Sequence, residues 1–482
     1  MIIGRNDFMK FQKMVSVLLT GLICFTSISF VPVTADETTD VIVWDGSADS
    51  FWYNDTDTEF YISTAEELAG LSKLVNSGNS MEGKVIHLTN DIYLNDVSKY
   101  ESWSESNPDN SWTSIGIDGD DCFKGNFSGG NHTIFGLYGQ AVFGNAASGA
   151  RIQNLKLEQS YITEALSYIS SKTITTSWLL AGSICGYSSN DSVISHCSND
   201  GRIDIKDKNA RNYCSYGIGG ICGFDSGNLI YCSNKGNISF VSNAHYYYSY
   251  GVYVNVGGIC GQHESGSIEN CNNNSNIECT DTNKAYKYFY TGGVCGSSGG
   301  TVINCYNKGS VNSPIACGGI SGVYYGSEND KMLNCYNTGV ITSDGLSGGV
   351  VGKLGDSSEY VENCYYLNVS ALRGIGDVEN DTIINPNEAA MKKESFAQTL
   401  GDAFVYAEGD FPKLAWEVYG IVVEGDINND GMFTLADVII LQKYLLNAYS
   451  MNLDEWNRSD VCADGSVNAF DLCVLKRMLI SK

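Results

Sequence analysis

The sequence predicts a mainly β chain: a β-solenoid, in the form of a right-handed parallel β-helix, followed by a small all-α calcium-binding module at the C-terminus. Three observations lead there. A unit built from a Gly-Gly pair, short apolar pairs and a cysteine recurs six times between residues 182 and 364. The chain holds 53 Gly against 5 Pro in 482 residues, with 43% hydrophobic residues, which means many tight turns around a long core. Two twelve-position loops of oxygen-bearing side chains close the sequence, each running into an amphipathic stretch.

Residues 1–35 read as a signal peptide. Arg5, Lys10 and Lys13 precede an apolar run from Met14 to about Val31, and Val33-Thr34-Ala35 offers a small-residue cleavage site. Thr20, Thr26, Ser27 and Ser29 interrupt the run and no stop-transfer cluster follows, which favours a removed leader over a membrane span. A secreted, extracellular protein is expected. The formal net charge of -26 and a pI near 4.4 exclude nucleic acid as a natural partner and favour cations.

The solenoid is expected over residues 36–385, with a closing segment over 386–420. One unit reads Gly292-Gly-Val-Cys295-Gly, then Val302-Ile-Asn304-Cys305-Tyr-Asn307-Lys-Gly309-Ser-Val311. Five others begin at Gly182, Gly219, Gly257, Gly318 and Gly348 and place a cysteine at Cys197, Cys232, Cys271, Cys335 and Cys364. Apolar pairs broken by Gly and Asn every few residues make strands and turns. A single unit has nothing to bury its apolar side against, so the units must stack as coils, about 4.8 Å apart. They resemble the GLUG repeat of secreted and surface β-helical proteins. Phe60 to Leu71 looks like the helix that caps such modules, Phe123–Phe127 with Ile134–Leu137 like an early coil, and Met391 to Trp416 like their closing segment.

The cysteines read as core residues. In the Gly-Gly-x-Cys position the series runs Cys185, Cys222, Cys260, Cys295, Ser321, Val351, while the second ladder keeps its cysteine in all six units. Pairing between ladders would orphan Cys335 and Cys364, and stacked Cβ atoms of neighbouring coils lie farther apart than the ~3.8 Å of a relaxed disulfide. Both ladders are expected to be reduced and soft. No Cys-x-x-Cys or close histidine pair suggests zinc.

No catalytic pattern emerges from the coils. Asp120 and Asp121 are adjacent, but Gly-His-Gly is missing and Arg202 to Lys206 has the wrong spacing for a polygalacturonase-like site. Arg202 and Arg211 are almost the only arginines in the repeats, and no Gly-x-Ser-x-Gly elbow occurs. His87, His132, His196, His245 and His263 occupy unmatched repeat positions. Carboxylates brought together from different coils leave a divergent polysaccharide hydrolase or lyase open as an alternative, beside an adhesin or spacer. Aromatic stretches precede several Gly-Gly corners: Tyr213 and Tyr216; Tyr246, Tyr247, Tyr248, Tyr250 and Tyr253; Tyr286, Tyr288, Phe289 and Tyr290. Stacked coils would gather these rings, with Tyr247, Tyr250 and Tyr288 as candidate glycan contacts; the alternative is that the rings pack the flank.

The last element is expected over 421–482. In its first loop Asp426, Asn428, Asp430, Thr434 and Asp437 fall at positions 1, 3, 5, 9 and 12, Gly431 allows the turn, and Met432 offers its carbonyl. Phe433 should anchor the loop, and a helix over Leu435–Leu446 should bury Val438, Ile440, Leu441 and Leu445. The second loop supplies Asp460, Asp464, Ser466, Asn468 and Asp471, then a helix carrying Leu472, Leu475, Leu479 and Ile480. Cys462 stands where Asn428 gives an oxygen, and a thiol is a poor ligand for a hard cation, so two Ca2+ sites are expected with the second weaker. The duplicated loop and helix resembles a type I dockerin. That resemblance implies docking on a cohesin domain of a scaffoldin in a cellulosome, with Leu435, Ala436, Lys443, Ala469, Phe470 and Arg477 facing the cohesin. Plant polysaccharide is the candidate partner of the solenoid. Only Glu417 to Gly425 separates the closing segment from the first loop, so the dockerin should sit close to the last coil.

Overall fold

The computed structural model describes residues 41–482 apart from 118, 169–176, 208–213, 244–251, 356–359, 380, 421–424, 429–432, 452, 463–464 and 481–482. The signal-peptide reading therefore lies outside the described residues, as do Tyr247, Tyr250, Asp430, Met432 and Asp464.

Chain order begins with a cap. The strand Glu59–Ile62 alternates exposed and buried residues and pairs in parallel with Val85–Leu88. Between them the helix Ala65–Val75 starts at Thr64, whose hydroxyl accepts from the Glu67 N–H while the Glu67 carboxylate accepts from the Thr64 N–H. Leu68, Leu71 and Val75, spaced for one helix face, are fully buried in the same core as Ile86 and Phe127.

The coils stack into five sheets. One of ten strands runs from Glu59–Ile62 to Val361–Glu362, one of nine from Ile92–Tyr93 to Tyr365–Tyr366, and three have seven strands each. Pairing between coils is parallel throughout, except where Leu166–Tyr168 folds back antiparallel on Ser177–Ala181. This is the parallel β-helix that the repeat predicts, and the register agrees with the repeat alignment. Gly219, Gly257, Gly292, Gly318 and Gly348 stand in one row, and Cys185, Cys222, Cys260, Cys295, Ser321 and Val351 in another. Tyr253 opposes Tyr288, 35 residues on, whereas Tyr290 opposes Ala316, only 26 residues on; the coil shortens where the aromatic insert ends.

Two ladders explain the corner chemistry. The residue before each second-ladder cysteine, from His196 and Tyr231 through Asn270, Asn304, Asn334 and Asn363, has a φ between +49° and +57°. Asparagine tolerates that left-handed conformation better than other side chains except glycine. The turn sends each following cysteine inward, where all six are at most 3% exposed. Two residues later Asn199, Asn234, Asn273, Asn307 and Asn337 lie buried, and the side-chain N–H of each of the first four donates to the next coil's Asn Oδ1 at 2.7–2.9 Å. The same amides also donate to the carbonyl two residues on, so a polar row crosses the interior with its hydrogen bonds made. The Gly-Gly pairs make room for it: a Cβ on Gly293 would lie 2.1 Å from Gly319 O and 2.4 Å from Asn307 Cγ.

Of the sixteen described cysteines fourteen are buried, while Cys462 and Cys473 are exposed. Of the described aromatic insert residues, Tyr216, Tyr286 and Phe289 turn into the core, while Tyr290 packs with Tyr253 and Tyr288 in a separate cluster. Tyr216 and Phe289 pack on Phe240, and Tyr286 and Tyr290 are buried. Tyr288 remains half-buried, stacked on Tyr253 at 4.9 Å.

The closing segment corrects one expectation. Its helices, Glu388–Met391, Glu394–Leu400 and Ala415–Tyr419, do not extend the stack. Tyr306, Tyr336 and Tyr365 form an outward row along the nine-stranded sheet, and Phe396, Leu400, Phe404 and Leu414 cover it. The chain thus runs back along the flank. Tyr306 OH donates to Glu417 at 2.9 Å, and Trp416 Nε1 donates to Asn270 O at 2.8 Å while its ring meets Tyr231. The chain leaves the solenoid beside the Tyr231 and Asn270 coils, not at the last coil.

Candidate calcium loops and docking face

Past the flank the chain builds a separate small core. Ile427, Phe433, Val438, Leu441 and Leu475 are buried together, with Ile440, Leu445, Leu472 and Leu479 packed against them. The helices Leu435–Leu445 and Ala469–Ile480 therefore face each other through their apolar stripes, and Phe433 at position 8 takes the anchoring place its spacing predicts. Ile480 departs from the stripe and is exposed.

The position-12 carboxylate organises each loop. Asp437 is fully buried, and its Oδ1 accepts from the N–H groups of Ile427 at 2.9 Å and Asn428 at 3.2 Å. Its Oδ2 accepts from the Thr434 N–H at 2.8 Å, so one side chain ties the start of the loop to its end. Thr434 in turn caps the helix by accepting from the Ala436 N–H. The second loop repeats the wiring: Asp471, also fully buried, accepts from Cys462 N–H at 3.1 Å and Asn468 N–H at 2.8 Å. Gly465 at position 6 has φ +79° and donates to Asp460 Oδ2 at 2.8 Å.

Each loop carries the donor types that a hard cation takes. Asp426, Asn428, Thr434 and Asp437 share the first, and Asp460, Ser466, Asn468 and Asp471 the second, all oxygen donors. Burying carboxylates such as Asp426 and Asp437 in a module this small costs free energy that a bound divalent cation offsets. The residues fit calcium, which when bound would supply positive charge that orders the loops. Among the described residues no three His, Cys, Asp or Glu side chains already converge as a metal cage. Cys462 puts an exposed thiol in the second loop where the first has Asn428.

The six residues expected at a partner interface are all exposed. Leu435 is 57% and Phe470 76% exposed, at adjacent positions in the first turn of their helices, with Ala469 equivalent to Leu435 and Ala436 to Phe470. Lys443 and Arg477 lie further along the two helices, also in solvent. Sequence reasoning passed over Ile439 and Leu446, which are exposed on the first helix as well. The signal was available: that helix carries more apolar residues than one buried stripe can use.

Comparison with known proteins agrees with this division. Residues 424–480 match the dockerin type I domain, and residues 253–278, one coil of the solenoid, match the GLUG motif. Among solved structures, a putative immunoglobulin A1 protease from Bacteroides ovatus is similar at 16% identity and a TM-score of 0.41, covering 75% of this chain and 94% of that one. An IgA1 protease is similar at 16% identity and a TM-score of 0.35, covering 67% of this chain and 21% of that one. No curated protein matches. The chain thus carries a type I dockerin domain, a module that binds calcium and docks on cohesins, at the C-terminal end of a β-solenoid with a GLUG motif.

Proposed function

We propose that the protein is a secreted subunit of a cellulosome: its dockerin binds two Ca2+ ions, the second more weakly, and docks on a scaffoldin cohesin. The solenoid then presents its surface to plant cell-wall or surface glycans during polysaccharide breakdown. The observation that carries this reading is the pair of loops in which a buried Asp437 or Asp471 braces the backbone beside an exposed apolar residue, Leu435 or Phe470. Calcium would stiffen each loop and so fix the helix turn that offers these side chains to a cohesin.

The test is retention of the full chain by immobilised cohesins, in calcium and in chelator, beside retention on insoluble plant polysaccharides. Calcium-dependent cohesin retention is expected, with Leu435→Asp plus Phe470→Asp weakening it more than tenfold and leaving calcium uptake intact. Retention unaffected by that double change would remove the assigned face. Release of reducing sugar from the polysaccharides would make the solenoid an enzyme instead of a targeting surface.

A further inference from the structure

A cleft of about 430 Å3 opens at the N-terminal end of the solenoid, between the strand-like residues around Trp44 and the 3-10 segment Val97–Ser102 with the loop after it. Its size falls in the ~300–1,000 Å3 range of small-ligand sites. The walls are held in place. Trp44 N–H donates to Tyr93 O at 2.9 Å, and its ring packs edge-on against Trp112 at 5.8 Å. Buried Asn95 donates to Asn110 O and Gly136 O and accepts from the Asn110 N–H, while Asn110 donates to Trp44 O at 2.7 Å. The opening is therefore built into the cap by hydrogen bonds from both sides.

Two indoles line it. Trp44 is half-buried, and Trp103 is only 2% exposed, yet no hydrogen bond reaches the Trp103 indole N–H among the described residues. The N–H edge therefore still meets solvent in the cleft, where a ligand oxygen can replace water as its acceptor. Around the rim stand Asp45, Asp96 and Asp109 with Lys99, all exposed. Hydrogen bonds from Ser47 and Ser98 hold Asp45 and Asp96 below the usual carboxylate range, so both are ionised at neutral pH.

We propose that this cleft is a carbohydrate subsite for neutral sugar units, with the half-buried Trp44 indole against a sugar's C–H face, the Trp103 N–H edge donating to a sugar oxygen and the rim carboxylates accepting from its hydroxyls. Each class of competitor fails on one feature. Uronates would meet three carboxylates against one lysine. An organic cation would find its carboxylates only at the solvent-exposed rim and would bring no acceptor to the Trp103 N–H. A neutral sugar offers apolar faces, hydroxyl donors for the carboxylates and hydroxyl oxygens for the indole. The site is distinct from the stacked Tyr253 and Tyr288, whose ring faces already cover each other. The inference rests on the glycan-presenting reading above and moves its binding surface to the cap.

The experiment is calorimetric titration of the full chain with hexasaccharides of the cellulose, xylan and mannan types, an oligogalacturonide of the same length, and choline. Binding of at least one neutral hexasaccharide is expected, weakened about tenfold in Trp103→Phe, which keeps the ring and loses the donor, and in the exposed Asp109→Ala. Tyr253→Ala with Tyr288→Ala should leave it unchanged. Neutral binding that survives both cleft variants would overturn the site while leaving the glycan-presenting reading in place. Preference for the oligogalacturonide or choline would overturn the ligand class. No binding of any saccharide, together with no retention on insoluble polysaccharide, would overturn both the cleft and the reading beneath it.

Discussion

Cys462 is the loop position at which the two calcium loops part in chemistry, since Asn428 offers an oxygen there and a thiol does not. Its own N–H still donates to Asp471, as Asn428's does to Asp437, so the second loop keeps the backbone shape and lacks only a ligand. On the proposed two-site reading, Cys462→Asn should strengthen calcium binding by the second loop by roughly tenfold without changing the first. Calcium titration of the full chain checks this, and an unchanged weaker step would mean that water already fills the place. Exposure separates the thiols as well. In native protein, iodoacetamide should label Cys462 and Cys473 at neutral pH and leave the fourteen buried cysteines untouched until the chain unfolds. Peptide mass spectrometry reads the outcome, and labelling of Cys305 in the native state would contradict its burial. At this scale the anchoring place of Phe433 was legible in the sequence, because its loop offset is a local fact. What it did not reveal was Trp103, whose ring is buried while its N–H edge opens on the cleft, because that placement depends on the surrounding chain.

Within the repeating element, the asparagine ladder carries a burden that the spacing did not reveal. Asn199, Asn234, Asn273, Asn307 and Asn337 each stand two residues after a ladder cysteine, in plain view in the sequence. They read as turn residues, because the hydrogen bond that defines each one reaches the next coil, some 30 to 39 positions away. Asn307 accepts from Asn273 and Gly309 and donates to Gly309 and Asn337. Removing it strands several buried groups at once. Asn307→Ala should lower stability by roughly 3 kcal/mol in urea unfolding, whereas Asn312→Ala, whose amide donates to Glu278 at an exposed position, should stay within about 0.5 kcal/mol. Equal effects would mean that burial of the ladder has no energetic weight. The aromatic inserts teach the complementary lesson. A run such as Tyr286 to Tyr290 signalled a platform, but alternation along the strand sends Phe289 into the core and leaves Tyr288 outside, so half of such a run is spent on packing.

Over the whole molecule, several of the thiols that line the core respond to alkaline pH in the same direction. Burial pushes the Cys295 thiol up to about 11 and the Cys279 and Cys317 thiols up to about 12, against an ordinary value of 9.0. Below pH 9 the folded and unfolded chains hold these protons alike, and the groups leave stability unchanged. Above pH 9 the unfolded chain releases protons that the folded chain keeps, so alkaline conditions favour unfolding progressively until the buried thiols ionise near pH 11 to 12. The melting temperature should be level from pH 7 to about 8.5 and fall steadily beyond it. Cys295→Ser offers a clean test, because Ser321 already occupies the equivalent place one coil on. That variant should fold, and its melting temperature should fall less steeply above pH 9 than that of the parent. A slope identical to the parent's would assign the alkaline loss to the raised tyrosines, such as Tyr290, whose hydroxyl burial pushes up in the same direction.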